Sequence, residues 1–199
     1  AAALTLDQGL LAELLGRTEL RELLDPEVLA QVENELQRLA RDRRAKGAEG
    51  VVDLLRGLGP LSTEELSQRC LSPDEVPGWI GHLMANRRVV QVPIAGIARW
   101  AIIEDVARLR DALGVPVPLG IPSSFTEPVA DPLGDLVSRF ARTHGPFTTA
   151  DVADRFGLGP AVVAQALQRL AAAGRILEGE FRPTGSGSEW CDAEVLRLL

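Results

Sequence analysis

The chain has 199 residues, a formal charge of −7 and 46% hydrophobic residues. This length suits one large domain or two to three small ones, and the composition excludes a disordered or collagen-like chain. The negative net charge also excludes a whole-molecule basic field of the kind that attracts nucleic acid or anionic lipid.

Cysteine and proline usage bear on where the protein functions. Cys70 and Cys191 are the only cysteines and form no CxxC pair. We therefore expect reduced thiols in a cytoplasmic protein, because a secreted disulfide framework needs more cysteines. The longest uncharged stretch, residues 112–126, contains three prolines and two glycines. Such a run cannot form an ordinary spanning helix, so no membrane partner is expected.

Residues 1–46 predict a helical segment. Leucines between positions 6 and 15 recur at helical spacing, and a short helix is expected over residues 19–24. The chain starts with three alanines and ends in a helical pattern, so we interpret it as a piece of a longer protein.

A longer helix is predicted to begin after Asp25. Aspartate followed by proline is a typical helix start, because the carboxylate caps the first turn and proline fits the first helical position. Apolar residues from Val28 to Leu39 form one stripe, and the cationic run at 41–47 is expected to end the helix. The sequence leaves open whether this stripe packs on the rest of the chain or on another subunit.

The remainder of the chain contains an internal repeat. Residues 59–66 (GPLSTEEL) and 145–152 (GPFTTADV) share a Gly-Pro turn followed by a hydroxyl residue that can cap a helix. Trp100 and Trp190 lie at matching places further along the two copies. The spacing between copies grows along the chain, which is typical of insertions in loops.

Each copy predicts three helices followed by a β-hairpin, which is the arrangement of a winged helix. We therefore predict a mainly α fold with small β-hairpins, in which an N-terminal helical segment precedes tandem winged-helix domains. The predicted boundaries are residues 47–113 for the first domain, 114–132 for a proline-rich linker and 133–199 for the second domain, whose C-terminal helix is truncated.

The third helix of each copy is the candidate for nucleic-acid recognition. The helix predicted over residues 73–86 is net acidic, whereas that over 160–173 carries glutamines and an arginine, which suit base edges and phosphates. Each copy has seven basic and eight acidic residues, so weak DNA contacts and a pure spacer role both remain open. The candidate nucleic-acid-binding residues are Arg87, Arg88, Arg99, Gln165, Gln168, Arg169, Arg175 and Arg182.

Other chemical sites are not predicted. His82 and His144 lack partners at metal-ligand spacing, and Lys46, the single lysine, does not fit a Walker A loop. Trp100 and Trp190 could stack on bases, but their matching places in the repeat favour core positions. We therefore expect no catalytic, metal-binding or cofactor-binding residues in this chain.

Two further features are interpreted as structural. Cys191 has no base nearby in the sequence and is expected to be a core thiol. The adjacent acidic residues at 64–65 and at 104–105 are interpreted as solvated helix faces, because neighbouring helical residues point in different directions.

Several stretches resemble the bacterial large helicase-related (Lhr) proteins. The most specific are residues 131–147 (DPLGDLVSRFARTHGPF), 174–183 (GRILEGEFRP) and 188–197 (SEWCDAEVLR). Residues 19–26 (ELRELLDP) and 112–116 (ALGVP) are similar as well, so the resemblance covers nearly the whole chain.

The resemblance implies the start of the C-terminal winged-helix extension of an ATP-dependent DNA repair helicase. The ATPase motifs, with ATP and Mg²⁺, would then lie outside this chain. The expected role is an architectural or oligomerisation module with weak contacts to single-stranded or duplex DNA. Its expected partners are the remaining helicase domains of the same chain and a second copy. Two alternatives stay open, a tandem winged-helix transcription regulator and part of a DNA glycosylase module.

Overall fold

The computed structural model describes residues 17–199. The described part is mainly helical with two small antiparallel hairpins, and it confirms the predicted helical segment followed by tandem winged helices. The helix predicted between positions 6 and 15 lies outside the described residues.

Two N-terminal helices open the described chain, α1 over Arg17–Leu23 and α2 over Pro26–Leu36. The Asp25 side chain accepts a hydrogen bond from the backbone N–H of Glu27, as expected of an N-cap. The prediction that α2 reaches the cationic run at 41–47 is wrong. The helix ends at Leu36, and a single 3₁₀ turn follows over Arg41–Arg43.

A tertiary contact explains the early end of α2. Arg69 donates from Nε to the Gln37 carbonyl at 2.8 Å and from Nη2 to the Gln37 side-chain oxygen at 2.9 Å. Arg38 then adopts a φ of 59°, in the left-handed region that terminates a helix. A contact 32 residues away in sequence thus overrides the local preference for a longer helix.

The first winged helix has the expected order of three helices and a hairpin. Its second helix carries a complete capping box between Ser62 and Glu65. A 3₁₀ turn precedes its third helix. The elements are α3 Gly47–Leu58, α4 Thr63–Gln68, α5 Val76–Ala85, β1 Val89–Ile94 and β2 Ile97–Ile102.

The second winged helix repeats this order after a connecting helix, α6, over Val106–Leu113. Its second helix also carries a capping box, between Thr148 and Asp151. The elements are α7 Pro132–Arg142, α8 Thr149–Phe156, α9 Pro160–Ala172, β3 Ile176–Gly179, β4 Glu189–Asp192 and the short α10 Ala193–Leu196.

A tryptophan closes each copy in the same way. The backbones of Trp100 and Trp190 each exchange two hydrogen bonds with the residue after the Gly-Pro turn, at 2.7–3.1 Å. Each indole N–H donates to the first threonine of the second helix, Thr63 at 2.9 Å and Thr149 at 3.1 Å. Trp190 is buried in the core of its copy, which confirms its predicted core position, whereas Trp100 is only partly buried and packs against the core of the first copy.

The N-terminal helices pack on the wing of the second copy. Phe181, in the loop between β3 and β4, is fully buried at the centre of this contact. The apolar side chains around it come from α1, the turn after it, α2, β4 and α10, and they include Leu20, Leu24, Leu29, Cys191, Val195 and Leu196. Of the apolar stripe of the N-terminal segment, Leu29 is buried in this cluster and Leu36 packs against it, whereas Val28, Val32 and Leu39 are only partly buried.

The two winged helices also pack directly on each other. The side chains that form this shared core come from β1, β2, α6 and α7 and the residue Val115, and they include Val92, Ile94, Leu109 and Leu136. One face of the first hairpin is thus buried beneath the second copy. Beyond Val115, the segment up to α7 stays close to α6, because Arg110 donates to the Thr126 carbonyl at 2.8 Å.

Replacing Phe181 tests the packing of the N-terminal helices. We expect Phe181→Ala to lower the free energy of unfolding by about 3–5 kcal/mol, because a fully buried ring leaves a cavity. Amide hydrogen exchange should accelerate in α1 and α2 more than in α3. Leu119→Ala, at a fully exposed side chain, serves as the control in both measurements. Unchanged protection of α1 and α2 in Phe181→Ala would contradict the described packing.

Candidate nucleic-acid interface

The first Gly-Pro turn holds arginines from the second winged helix. Gly59 has a φ of 86°, and a β-carbon at this position would lie 3.0 Å from Nη2 of Arg139. The Pro60 carbonyl accepts a hydrogen bond from Nη2 of Arg155 at 3.0 Å. The glycine thus permits close approach of one guanidinium, while the proline carbonyl binds another.

The second Gly-Pro turn holds an arginine in a similar way. A β-carbon at Gly145 would lie 3.3 Å from Nη2 of Arg182, whose Nε donates to the Pro146 carbonyl at 2.7 Å. Arg182 also pairs with Glu33 of α2 at 2.7 Å. This turn therefore joins the second copy to the N-terminal helices.

Ion pairs complete the junction between the copies. Arg155 forms a bidentate pair with Glu65, at 2.7 and 3.2 Å. Asp105 is 2% exposed and accepts from Arg108 and from Arg139, both at 2.8 Å. The interpretation of these two acidic residues as solvated was wrong. Their immediate neighbours, Glu64 and Glu104, are exposed as expected.

Two of the candidate nucleic-acid-binding arginines lie in these internal contacts. Arg99 is 4% exposed and donates to the Arg155 carbonyl at 2.7 Å. Arg182 is half-buried and engaged by Glu33 and by the Pro146 carbonyl. The Arg99 side chain is therefore inaccessible from the surface, and Arg182 would have to leave Glu33 to bind a phosphate.

Arg87 and Arg88 lie at the start of the first hairpin. Arg87 is exposed, with its guanidinium 3.5 Å from the Gly120 carbonyl. Arg88 forms a bidentate pair with Glu49, and this hydrogen bond raises the pKa of Arg88 and lowers the pKa of Glu49. A phosphate at Arg88 would therefore compete with a carboxylate.

The three candidates on α9 share its exposed face. Gln165, Gln168 and Arg169 are all solvent-exposed. Arg169 lies 3.9 Å from Asp131, a distance at which an exposed pair contributes little. These side chains are accessible to a ligand, and their contact with nucleic acid stays a prediction.

A groove of about 400 Å³ lies between the two copies, and we call it the arginine groove. Its charged lining residues are Arg56, Arg108, Arg139, Arg142 and Arg175, with Glu104, Asp105 and Asp135. Five arginines against three acidic residues give a local excess of two positive charges in a chain of net charge −7. Such an excess can attract a phosphate backbone locally.

Two side chains of the arginine groove are the most available to a ligand. Arg175 is exposed, and its side chain has no hydrogen bond or ion pair with any residue from 17 to 199. Arg142 donates to the Ser138 hydroxyl at 3.1 Å and has no acidic partner within the same range. Sequence reasoning selected only Arg175. Arg139 and Arg142 lie three residues apart on one helix, so the sequence places them on the same face. The groove could still not be predicted, because it forms only where the two copies meet.

The described residues offer little for other chemistry. Within residues 17–199, no group of three or more potential metal ligands lies together. Nor does any helix of this part have the length and apolarity needed to cross a membrane. Cys70 and Cys191 are unpaired and buried, and burial, followed by the Asp192 charge, raises the pKa of Cys191 far above the usual range. Cys191 is therefore the expected core thiol and a poor nucleophile at neutral pH.

His144 is a partly buried histidine at the junction. Its ring stacks on Phe140 with centroids 3.7 Å apart, and Nδ1 lies 2.7 Å from the Phe140 carbonyl. Since a carbonyl only accepts, Nδ1 carries the proton. Burial lowers the pKa of His144 below its usual 6.5, although the hydrogen bond to Phe140 and the charge of Glu33 oppose this effect.

Comparison with known proteins adds to this geometry. A family profile described as large helicase-related protein, winged-helix domain, matches residues 22–128, just over half of the chain. A Mycolicibacterium smegmatis protein named "Lhr helicase/ probable uracil glycosylase" is 54% identical over 199 residues, all of this chain. An Escherichia coli K12 protein named "Lhr helicase/uracil glycosylase" is 47% identical over 200 aligned positions, again all of this chain. The chain spans 13% of the length of each relative.

The lowered pKa of His144 predicts a pH dependence of stability. Because the pKa of His144 is lower in the folded state, the folded state binds fewer protons than the unfolded state below pH 6.5. The protein therefore has its full free energy of unfolding, as far as His144 is concerned, above that pH. It should fall as the pH drops from 6.5 towards the folded pKa, by at most about 1.4 kcal/mol per pH unit. His144→Phe, which keeps the ring stack, should flatten this slope in denaturation experiments between pH 7 and 5.

His82→Gln is the matched control, because His82 is the other histidine and is exposed. It should keep the wild-type slope. A wild-type slope in His144→Phe as well would mean that another group is responsible.

Proposed function

The chain belongs to the family of large helicase-related proteins, and we propose that it is an accessory winged-helix module of an ATP-dependent DNA repair helicase. Its role in this proposal is architectural. The module holds its two winged helices in one fixed arrangement and contacts the DNA backbone weakly through the arginine groove. ATP, Mg²⁺ and the motifs that use them belong to parts of the helicase outside this chain.

The observation that carries the proposal is that arginine side chains bind at both Gly-Pro turns. Each turn binds a guanidinium, and the contacts join the first copy to the second and the second to the N-terminal helices. Two winged helices that bound DNA independently would be joined by a flexible connection. Here apolar side chains of the first hairpin, α6 and α7 are instead buried against each other. A rigid block of this kind suits a scaffold for the neighbouring helicase domains.

Backbone contact in the arginine groove is supported by charge and exposure. Arg142 and Arg175 face no acidic partner among residues 17–199, and α9 ends three residues before Arg175. The exposed glutamines Gln165 and Gln168, with Arg169, would then lie on the same helix that leads into the groove. Phosphate contacts position a protein on DNA without reading its sequence, which agrees with a helicase accessory role.

A sequence-specific regulator is supported less well. Specific readout by a helix-turn-helix domain needs a third helix rich in base-reading side chains. In α5 the exposed residues are mostly small or apolar, and acidic residues precede the helix at Asp74 and Glu75. Only α9 offers suitable groups, so only one of the two winged helices could read a base sequence.

Glycosylase chemistry is proposed to lie outside this chain, although the names of both relatives include uracil glycosylase. Glu65 is a carboxylate that lines a cavity with aromatic walls, beside Phe140 and Phe156. Both Glu65 oxygens accept from Arg155. Burial raises the pKa of Glu65, but the hydrogen bonds from Arg155 and from the Ser62 backbone, together with the charges of Arg155 and Arg99, lower it more. Glu65 is therefore a weak base.

Self-association and a cytoplasmic location complete the proposal. The exposed large apolar side chains of the described part lie on separate elements, among them Leu23, Met84, Ile97 and Val162. Any contact with a second copy would therefore rest on small patches or on other parts of the helicase. The two unpaired thiols support a reducing compartment.

The groove contact can be tested by fluorescence anisotropy with labelled single-stranded and duplex oligonucleotides at several salt concentrations. We expect weak binding that falls with salt. In Arg142→Gln/Arg175→Gln, the slope of log K against log salt should become shallower by about 1.4–1.8, since two phosphate contacts are lost.

Two further variants locate the contact. Arg41→Gln, at an exposed arginine that does not line the groove, should bind like the wild type. Gln165→Ala/Gln168→Ala should leave the salt slope unchanged. A wild-type slope in the double arginine variant would refute the groove contact, and absence of binding at micromolar protein in low salt would leave only the architectural role.

The absence of glycosylase activity can be tested with uracil-containing oligonucleotides. We expect the 199-residue chain to release no more uracil than buffer alone, while the full-length relatives serve as positive controls. Uracil release that is abolished in Glu65→Gln would instead place a catalytic carboxylate within this chain.

A further inference from the structure

A cationic segment follows α2 and contributes little to the packing of the chain. Residues 38–46 (RLARDRRAK) contain five cations and one acid, in a chain of net charge −7. The sequence predicts that cations in this segment end α2, but the helix already ends at Leu36. All five cationic side chains are exposed. Such a concentration of positive charge on an acidic chain suits the binding of an anionic partner.

The cationic segment borders an open groove of about 950 Å³ beside α2 and α3, which we call the basic groove. Its charged lining residues are Glu35, Arg38, Arg43, Arg44, Lys46, Glu49 and Asp53. Its apolar lining includes Leu36, Leu54 and Leu58, which are less exposed than the cations. The basic groove therefore has a cationic rim and an aliphatic floor.

The acids of the basic groove are paired, whereas most of its cations are not. Each acid has an arginine partner, and the pairs are Glu49–Arg88, Asp53–Arg56 at 3.2 Å and Glu35–Arg43 at 3.7 Å. Arg44 donates only to the Leu39 carbonyl, at 3.0 Å. Like Arg44, Arg38 and Lys46 have no acidic partner in the described part of the chain. Three positive charges around one groove are thus available to a polyanion.

A glycine keeps part of the basic groove open. Gly57, in the last turn of α3, lines the groove and is exposed, and its φ lies outside the left-handed region. A β-carbon at this position would meet no atom within 4 Å. Neither the backbone nor internal packing therefore requires a glycine, which weakens a helix relative to alanine. A glycine in such a place permits the close approach of a ligand.

The basic groove adjoins the arginine groove. On α3, Asp53 lines the basic groove, and its ion-pair partner Arg56 lines the arginine groove. At the end of α7, Arg142 lines the arginine groove, and the next residue, Thr143, lines the basic groove. The two grooves therefore meet where α3 and α7 pack on each other, and one extended polyanion can occupy both.

We propose that the basic groove binds the backbone of a single DNA strand, which continues into the arginine groove. The continuation rests on the proposed function, whereas the site in the basic groove does not. A single strand suits this groove because its phosphates can face the cationic rim while its exposed base faces cover the aliphatic floor. A duplex keeps its base faces stacked inside and has no apolar surface of this kind to bury.

The test is fluorescence anisotropy with the 199-residue chain and a labelled single strand of about 12 nucleotides, a length within the usual site sizes of single-strand-binding folds. In Arg38→Gln/Lys46→Gln, the slope of log K against log salt should become shallower by about 1.4, since two phosphate contacts are lost. Arg41→Gln is the matched control. It removes an exposed cation of the same segment that does not line the basic groove, and it should keep the wild-type slope.

A second pair of variants tests the groove without removing any cation. Gly57→Glu should weaken single-strand binding about fivefold at low salt, the effect of one repulsive charge close to a phosphate in water. Gly78→Glu adds the same charge at an exposed glycine of α5, where a β-carbon also meets no atom within 4 Å, and it should bind like the wild type. Equal weakening by both substitutions would overturn the proposal, because it would reflect net charge alone.

The remaining outcomes separate this proposal from the proposed function. A wild-type slope in Arg38→Gln/Lys46→Gln would overturn the site in the basic groove and leave that groove to an acidic protein segment. Failure of the arginine groove would instead appear in Arg142→Gln/Arg175→Gln. The same change of slope with a duplex would overturn the choice of a single strand. Two strands bound per chain would overturn the continuous path.

Discussion

The arrangement of this chain depends on one interaction, the binding of arginine side chains in the Gly-Pro turns. A guanidinium needs acceptors in a plane and room for close approach. The glycine gives the room and the proline carbonyl gives the acceptor, at Gly59-Pro60 for Arg139 and Arg155 and at Gly145-Pro146 for Arg182. Asp105 and Glu65 then neutralise Arg139 and Arg155, respectively. Without Arg155, the partly buried Glu65 would lose its ion-pair partner, which proteins rarely tolerate.

Local patterns in the sequence were enough to predict the fold, because each winged helix is built from local signals. The capping boxes at Ser62 and Thr148, the prolines that begin helices and the repeated tryptophans all act within one copy. The end of α2 was missed for the opposite reason. Its terminating contact comes from Arg69, which no helix rule could associate with Gln37.

The candidate site was predictable only where exposure follows from local structure. The polar face of α9 is exposed as its periodicity indicates, and Arg175 follows that helix. Arg99 resembled a wing arginine in sequence, yet the second copy covers it. The arginine groove combines residues from both copies, so it has no pattern within any one segment. The repeat itself was the best signal in the sequence. The Gly-Pro turn recurs in both copies although the helix caps at Ser62 and Thr148 do not require it, which suggests that the turn contacts another part of the chain.

The packing of the N-terminal helices on the second wing has a consequence for synthesis on the ribosome. Arg21 donates to the Arg182 carbonyl, which is 161 positions further along the chain. The apolar faces of α1 and α2 therefore leave the ribosome before their packing partners and stay uncovered until both winged helices have been translated. Contacts of such long sequence separation form late and leave apolar surface exposed in the meantime. The nascent chain thus has an interval in which its first helices need protection, by a chaperone or by whatever precedes them.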